Sequence, residues 1–442
     1  MEESSIHESE KSPLREKLVS DFQKKLDILE RSKKRDGSVG EVKKGGEPPL
    51  ITVVTSLWEE TDHLLAIKMF EHSLSSLVAQ AKSAGANLDI IICANNGGAN
   101  DPELGNAMRA RLDGFIESHK KELNVAAYEQ IDAVEPTVKS PTEPWKIQSD
   151  VFQKENPSGG NRILFVNQTH TPDGTNAGKI RAIRDVSNFI GDEMLSGYSP
   201  DVIFQIDAET ILKYKDGLPV REHQFSPLKV LLNQILRGGK VAVGTKDRFE
   251  LIDEETGKPT GKMVGSSQEG YMDTNKDRFI TLPGGALMAK PEIYVAGMSA
   301  IAENVPGVGT EDYLLTKMLG YSSREIGNAD SIGIVTHLNR ARSEPGSYKQ
   351  LLKWFRDAKA VDKIFPENPY RNEPFLKYFV AVLQSRLKTL WTDVSKNDSP
   401  KLKSDLRQLL VDIKTIPDVY KMLKDGDASD IFNHVSSWSH GD

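Results

Sequence analysis

The sequence predicts an α/β domain on a mostly parallel sheet, with helical additions at both ends. Three observations predict it. Short apolar, β-branched runs recur between residues 50 and 245: "LITVVT", "DIIICA", "RILFV", "VIFQI" and "VAVGT". Helix-period stretches separate them. The runs are also apolar throughout rather than alternating, which marks strands covered by helices on both faces.

The elements follow in order. Residues 1–47 are charge-rich and end in "KKGGEPP". Within them Leu14, Leu18, Phe22, Leu26 and Leu29 recur at helical spacing, with Ser12 as a cap and Pro13 at the first position. This amphipathic helix docks on its own domain, on a second copy of the chain or on a partner. Residues 48–344 form the α/β domain. Its strands are Leu50–Thr55, Asp89–Ala94, Arg162–Val166, Val202–Ile206 and Val241–Thr245. Helices cover about Leu64–Lys82, begin near Pro102, and cover about Asn176–Ile190. Residues 125–160, rich in Pro, Ser and polar residues, read as a long surface excursion. "DEETGKPTGK" reads as a turn joining two extended segments. Residues 345–442 are a helical region broken at "FPENPYRNEP" and "KNDSP", expected to pack on the α/β domain and build part of an acceptor site.

Bulk properties narrow the function. A net charge of -7, with acids and bases both plentiful, excludes a general nucleic-acid surface. One cysteine, Cys93, excludes an internal disulfide and a CxxC zinc site. Cys93 sits inside an apolar run and reads as core filler. No apolar run approaches the roughly 20 residues of a membrane helix, and the N-terminus has no signal-peptide core. The expectation is a soluble, cytoplasmic protein without an integral membrane segment.

Ligands of such sheets bind at the carboxyl ends of the strands. "SLWEE", "ANNGG" and "IDAE" fall there. Asp207 and Glu209 follow the strand "VIFQI"; in extended chain, residues i and i+2 share a side. Two such carboxylates can hold a hard cation, Mn²⁺ or Mg²⁺, or simply form an acidic turn. Asn176, Gly178, Lys179 and Arg181 gather at a helix start, an anion site or a solvated basic face. Gly284 and Gly285 in "LPGG" allow close backbone approach to a ligand or form a plain turn. Thr310 can cap a helix whose first turn holds Glu311 and Asp312. In "IVTHLNRAR", His337 can be a metal ligand beside two phosphate clamps, Arg340 and Arg342.

The order of these pieces over residues 50–340 ("VVTSLWEE", "ICANN", "NAGKIRA", "IDAE", "PGGALMAK", "TEDYLLTKMLG") resembles the GT-A glycosyltransferases, above all their family-2-like inverting branch. The resemblance implies a metal-dependent transfer of a sugar from a UDP- or GDP-sugar to an acceptor hydroxyl of unknown identity. Thr55, Ser56, Glu60, Asn95 and Asn96 then look like the base and ribose contacts. Gly178, Lys179 and Arg181 look like the nucleotide-contacting helix start. Asp207 and Glu209 look like a DxD motif with Glu in its second acidic place. His337 looks like the histidine completing the metal shell, and Asp312 of the Glu311–Asp312 pair like the catalytic base. Asn stands where the family usually carries an acid after the second strand. The QxxRW motif of processive synthases is absent, which implies a single, non-processive transfer to a soluble acceptor. A nucleotidyltransferase of the same plan is the alternative, but its Gly-rich basic signature is missing from "TSLWEETDH". A non-catalytic scaffold working through its terminal helices, or a homo-oligomer formed through them, is the remaining reading.

Overall fold

The computed structural model describes residues 12–35, 48–57, 63–95, 102–135, 143–153, 159–168, 179–208, 210–214, 225–253, 256, 258–265, 285–305, 311–321, 325–337, 360–361, 363–365, 380, 383–384, 387–388, 390–396, 399–426 and 429–436. In chain order these form α1 (Pro13–Arg35), β1 (Leu50–Leu57), α2 (His63–Ala84), β2 (Asn87–Asn95), α3 (Pro102–Ser118), β3 (Val125–Asp132) and β4 (Asn161–Gln168). Next come α4 (Lys179–Leu195), β5 (Val202–Ile206), β6 (Ile211–Tyr214), α5 (Pro227–Leu236), β7 (Ala242–Ile252), β8 (Pro259–Gly265) and β9 (Ala286–Ala289). The last are α6 (Pro291–Asn304), α7 (Glu311–Tyr321), β10 (Ile326–His337), α8 (Pro400–Lys414), α9 (Pro417–Lys424) and α10 (Ser429–Ser436). No helix among the described residues is long and apolar enough to cross a membrane.

The fold is the α/β plan the sequence predicts. Ten strands form one mixed sheet in the order β3-β4-β2-β1-β5-β9-β7-β10-β6, with β8 beside β7. From β3 to β5 the pairings are all parallel. β9 runs antiparallel to both its neighbours, and β10 is parallel to β7. The sheet therefore points most of its strand ends to one edge.

Alternation along each strand splits the core in two. Val54, Ile91, Leu164 and Ile203 face a cluster completed by α1, α4, α6 and α7. Val53, Ile90, Ile163 and Phe204 face a cluster completed by α2, α3 and α5. Gly85 ends α2 at φ +69°, where a side chain would be strained, and Ala86 N–H closes on the Ala81 carbonyl at 2.9 Å. That tight stop delivers the chain straight into β2.

One buried ion pair ties the parallel half together. Arg162 of β4 grips Asp89 of β2 through Nε at 2.7 Å and Nη2 at 2.5 Å. Its Nη1 donates to the carbonyl of Phe152 at 3.0 Å. Tyr198 donates to Asp89 Oδ2 at 2.7 Å. With its proton committed there, Tyr198 accepts from Thr52 of β1, 2.6 Å away.

Three segments differ from the sequence reading. Residues 125–160 are not all excursion: "VAAYEQID" forms the edge strand β3, whose residues are mostly half-buried and so lack the apolar run that betrays a central strand. Helices α5 and α6 were not predicted; each begins with a proline at its first turn, a start signal masked by the strands beside it. The C-terminal helices are also divided. Val361, Ile364 and Phe365 join the sheet-side core, whereas Leu406, Leu409, Ile413, Val419 and Phe432 belong to a separate apolar cluster.

Helix α1 docks on its own chain. Leu18, Phe22 and Leu26 are fully buried in the cluster shared with α4 and α6. Lys25 pairs with Glu303 at 2.8 Å, Lys33 with Glu292 at 2.6 Å, and Asn304 donates to Asp21 at 3.1 Å, so α1 runs antiparallel to α6. Leu18, Phe22, Leu26 and Leu29 of the apolar stripe are thus covered within the chain, while Leu14 stays exposed. Phe22→Ala should cost about 3–5 kcal/mol in urea unfolding; a loss below about 1 kcal/mol would show a face only loosely packed.

Candidate functional site

The site sits at the carboxyl edge of the sheet, on the face covered by α4, α6 and α7. Strand β5 ends at Ile206, and Asp207 opens a turn, because Thr210 N–H donates to the Asp207 carbonyl at 2.9 Å. The extended course of β5 therefore does not continue past Asp207, and Glu209 lies outside the described residues. Asp207 N–H donates to the Gly285 carbonyl at 3.1 Å, so Asp207 is fixed on both sides of its peptide. Its side chain is half-buried.

Helix α7 enters the same place. Gln205, two residues before Asp207 and 1% exposed, donates from Nε2 to Glu311 Oε1 at 3.2 Å. Glu311 is the first residue of α7 and is buried, whereas Asp312 beside it is half-buried. Tyr294 of α6 donates to Gln205 Oε1 at 2.8 Å. The structure thus joins Asp207, Gly285 and Glu311 through one strand.

On β1, Val54 pairs with Gln205. Ser56 and Asp207 lie two residues beyond that pair on neighbouring strands, on the same face. Thr55 turns to the other face, where its buried hydroxyl has no hydrogen-bond partner among the described residues. Adjacent in sequence, Thr55 and Ser56 therefore do not line one surface.

A second polar cluster holds the start of α4. Arg184 grips Asp185 Oδ1 through Nε at 2.9 Å and Nη2 at 2.8 Å, and Trp145 N–H donates to the same oxygen at 3.2 Å. Gln168, the last residue of β4, reaches Asp185 Oδ2 at 3.5 Å. Burial pushes the Asp185 carboxyl up to about 7, against the pull of Arg184, the Trp145 N–H and Arg181. Arg181 is itself half-buried on the first turn of α4. Burial and the Asp185 charge push the Cys93 thiol well above its ordinary value, which makes it inert as the sequence suggested.

The other sequence-predicted residues divide as follows. Glu60, Asn96, Gly178, Glu209, Gly284, Arg340 and Arg342 lie outside the described residues, as do the side chains of Asn95, Lys179 and His337. By backbone, Asn95 ends β2 beside Gln168, and Lys179 opens α4. His337 ends β10, whose antiparallel partner β6 starts directly after the turn at Asp207, with Val335 of β10 opposite Ile211 of β6, so the end of β10 runs beside that turn. Among the described residues no three His, Cys, Asp or Glu side chains converge as a metal centre. Sequence reasoning missed Gln205, Tyr294 and Asp185. Gln205 had a signal, an amide interrupting "VIFQI"; Asp185 and Tyr294 had none, because charged and aromatic residues are ordinary in helices.

No protein-family model matches the chain, and no curated protein sequence does. Among solved structures it is similar to the mannosyltransferase PcManGT from Pyrobaculum calidifontis, in complex with GDP-Man and Mn²⁺, at 11% identity and a TM-score of 0.41, covering 96% of this chain and 94% of that one. It is similar to the 4-diphosphocytidyl-2C-methyl-D-erythritol synthase of Anaerococcus prevotii at 8% identity and a TM-score of 0.30, covering 71% and 96%. It is similar to mouse xyloside xylosyltransferase 1 at 11% identity and a TM-score of 0.25, covering 63% and 83%. All three likenesses are distant, and none bears on which reaction this chain carries out.

The state of Asp185 is testable through pH. Its folded value lies above the unfolded value of about 3.9, so between those limits the folded state holds the extra proton and stability falls as pH rises. Asn mimics the protonated acid. Asp185→Asn should therefore gain stability relative to wild type from about pH 4 to about pH 7, then level off, in paired thermal melts. A relative loss over that window would mean an ionised Asp185 held by Arg184.

Proposed function

We propose that the chain is a glycosyltransferase that moves one sugar from a UDP- or GDP-sugar to an acceptor hydroxyl, using Mn²⁺ or Mg²⁺ and inverting the anomeric carbon, as in the family-2-like branch of the GT-A enzymes. The observation that carries the reading is the hydrogen bond from Gln205 to Glu311. It seats the start of α7 against the strand whose exit holds Asp207, so carboxylates from separate elements meet at one sheet edge. Residues 48–344 are the catalytic domain in this reading, flanked by the segment 1–47 and the helical region 345–442. The single buried cysteine fits a reducing, cytoplasmic setting.

The donor set suits a hard cation. Asp207, Glu209 and His337 offer oxygen and imidazole donors, and the half-buried Asp207 is held in place by Gly285 and Thr210. When bound, the cation neutralises charge on the departing nucleoside diphosphate. Lys179, Arg181, Arg340, Arg342 and the amides at the start of α4, Gly178 among them, hold the phosphates. Ser56, Glu60, Asn95 and Asn96 hold the nucleoside, and Thr55, turned to the other face of the sheet, takes no part. Gly284 and Gly285 let the backbone approach the sugar closely. Asp312 takes the proton of the acceptor hydroxyl, with Glu311 beside it in the catalytic pair.

A thermal-shift screen of nucleotide sugars with and without Mn²⁺ tests the donor. The right donor at 100 times its Kd should stabilise the fold by about 2.7 kcal/mol, and only with the cation present. Glu209→Ala should abolish that cation dependence. No shift with any donor sinks the reading.

Kinetics test the base. Asp312→Asn should lower kcat at least about 10²-fold while donor affinity stays near wild type. Glu311→Gln, which still accepts a hydrogen bond, should be milder. A helix-terminus charge alone is worth only about 0.3–1 kcal/mol, so a near-wild-type kcat for Asp312→Asn returns that residue to a structural role.

A further inference from the structure

We propose that Gln205 is a positioning residue that fixes the first turn of α7, making Glu311 the anchor of the acidic pair and leaving Asp312 to face the acceptor. The catalytic part of this inference rests on the transferase reading; the anchoring part does not.

Gln205 is the one polar residue in a five-residue strand, and it is 1% exposed. Burying an amide costs free energy unless both ends are satisfied. An apolar residue would fit the strand better, so folding alone does not explain it. Both ends are used. A carboxylate only accepts, so the amide NH₂ must face Glu311 and the amide oxygen must face Tyr294, whose hydroxyl then donates. The orientation of Gln205 is thereby fixed from α6, and Glu311 is fixed from Gln205.

A second contact holds the same helix. A Cβ at Gly297 of α6 would lie 2.5 Å from Leu315 Cδ1, so α7 rests on bare backbone there. Glu311 and Leu315 are four residues apart on α7, and Tyr294 and Gly297 three apart on α6, so each pair lies on one helix face. That shared face carries the anchor. Asp312, a step of about 100° around the helix, is turned away from it and is half-buried. Gln205 is also two residues from Asp207 on the same strand. One strand therefore sets both the cation-binding carboxylate and the base.

The test compares wild type with Gln205→Leu, which keeps size and removes both hydrogen bonds, and with Tyr294→Phe, which removes one oxygen and keeps the packing. Hydrogen–deuterium exchange across residues 311–321 reads the anchor; kcat and donor Kd in Mn²⁺ read its consequence. Gln205→Leu should speed exchange in α7 and lower kcat by about 10²-fold, the cost of a misplacement of about 1 Å, with donor Kd unchanged. Tyr294→Phe should shift both in the same direction by less, and the double variant should be no worse than Gln205→Leu, since the two act in one relay. Unchanged exchange in α7 overturns the anchor. Faster exchange with wild-type kcat, or a kcat loss matched by lost donor affinity, overturns the positioning role. If Gln205→Leu does not fold, Tyr294→Phe decides alone: no change in exchange or kcat overturns the proposal. A wild type that turns over no nucleotide sugar refutes the transferase reading, while the exchange data still decide the anchor.

Discussion

The parallel half of the sheet depends on the Asp89–Arg162 pair. Arg162 spends three nitrogens on it and on the carbonyls of Val151 and Phe152, and Tyr198 and Thr52 complete the ring of donors. The pair thus joins β1, β2, β4, the segment around Phe152 and the chain leading into β5. Phe152 stacks on Tyr198 with centroids 5.5 Å apart and lies under the Arg162 guanidinium at 5.4 Å, which keeps water from the ions. Asp89 is fully buried, so losing either partner would strand a charge in the core, a cost of about 3–5 kcal/mol. Hydrophobic burial can be satisfied in several registers; a bidentate pair cannot. This is the interaction that fixes how β2 and β4 slide along one another, and hence where their carboxyl ends stop.

The centre of the sheet uses a different device. β5 is short, and β9 runs back along it, so the chain can leave β5 at Asp207 and still have its N–H satisfied by Gly285. The turn at 207–210 is braced from the other face, where Ser73 donates to the Thr210 carbonyl at 2.5 Å. Helices α6 and α7 add the remaining walls on the α4 side. A carboxylate therefore stands where β5 ends, while the interior of β5 stays apolar except at Gln205. That exception is the link between the sheet and α7.

The helical additions play unequal parts. α1 supplies apolar cover to the face that carries the site, and its ion pairs with α6 hold its direction. The last helices bury their own cluster around Leu406, Ile413 and Phe432 instead of extending the sheet-side core. Cover of the site face thus comes from the start of the chain, about 290 residues before α7 in sequence order.

The sequence by itself determined the fold class, the central strands, α1 and its apolar stripe, and the polar residues at strand exits. These follow from local periodicity and from acids or glycines placed just after apolar runs, which are properties of a few neighbouring residues. It also made α7 legible, because two acids, Glu311 and Asp312, in a first turn mark a helix start; the expected cap, Thr310, lies outside the described residues. It misjudged β3, whose half-exposed edge residues carry no apolar run, and it assumed that the extended course of β5 continues through Asp207, where a turn begins. Only the tertiary structure decided that Asp185 lies buried against the Trp145 N–H, and that Gln205 joins Glu311 to Tyr294. The physical reason is the same each time. A side chain's partner across a sheet or between helices is set by register and by close packing such as that at Gly297, and these bring together residues 40, 89 and 106 positions apart that no local pattern connects.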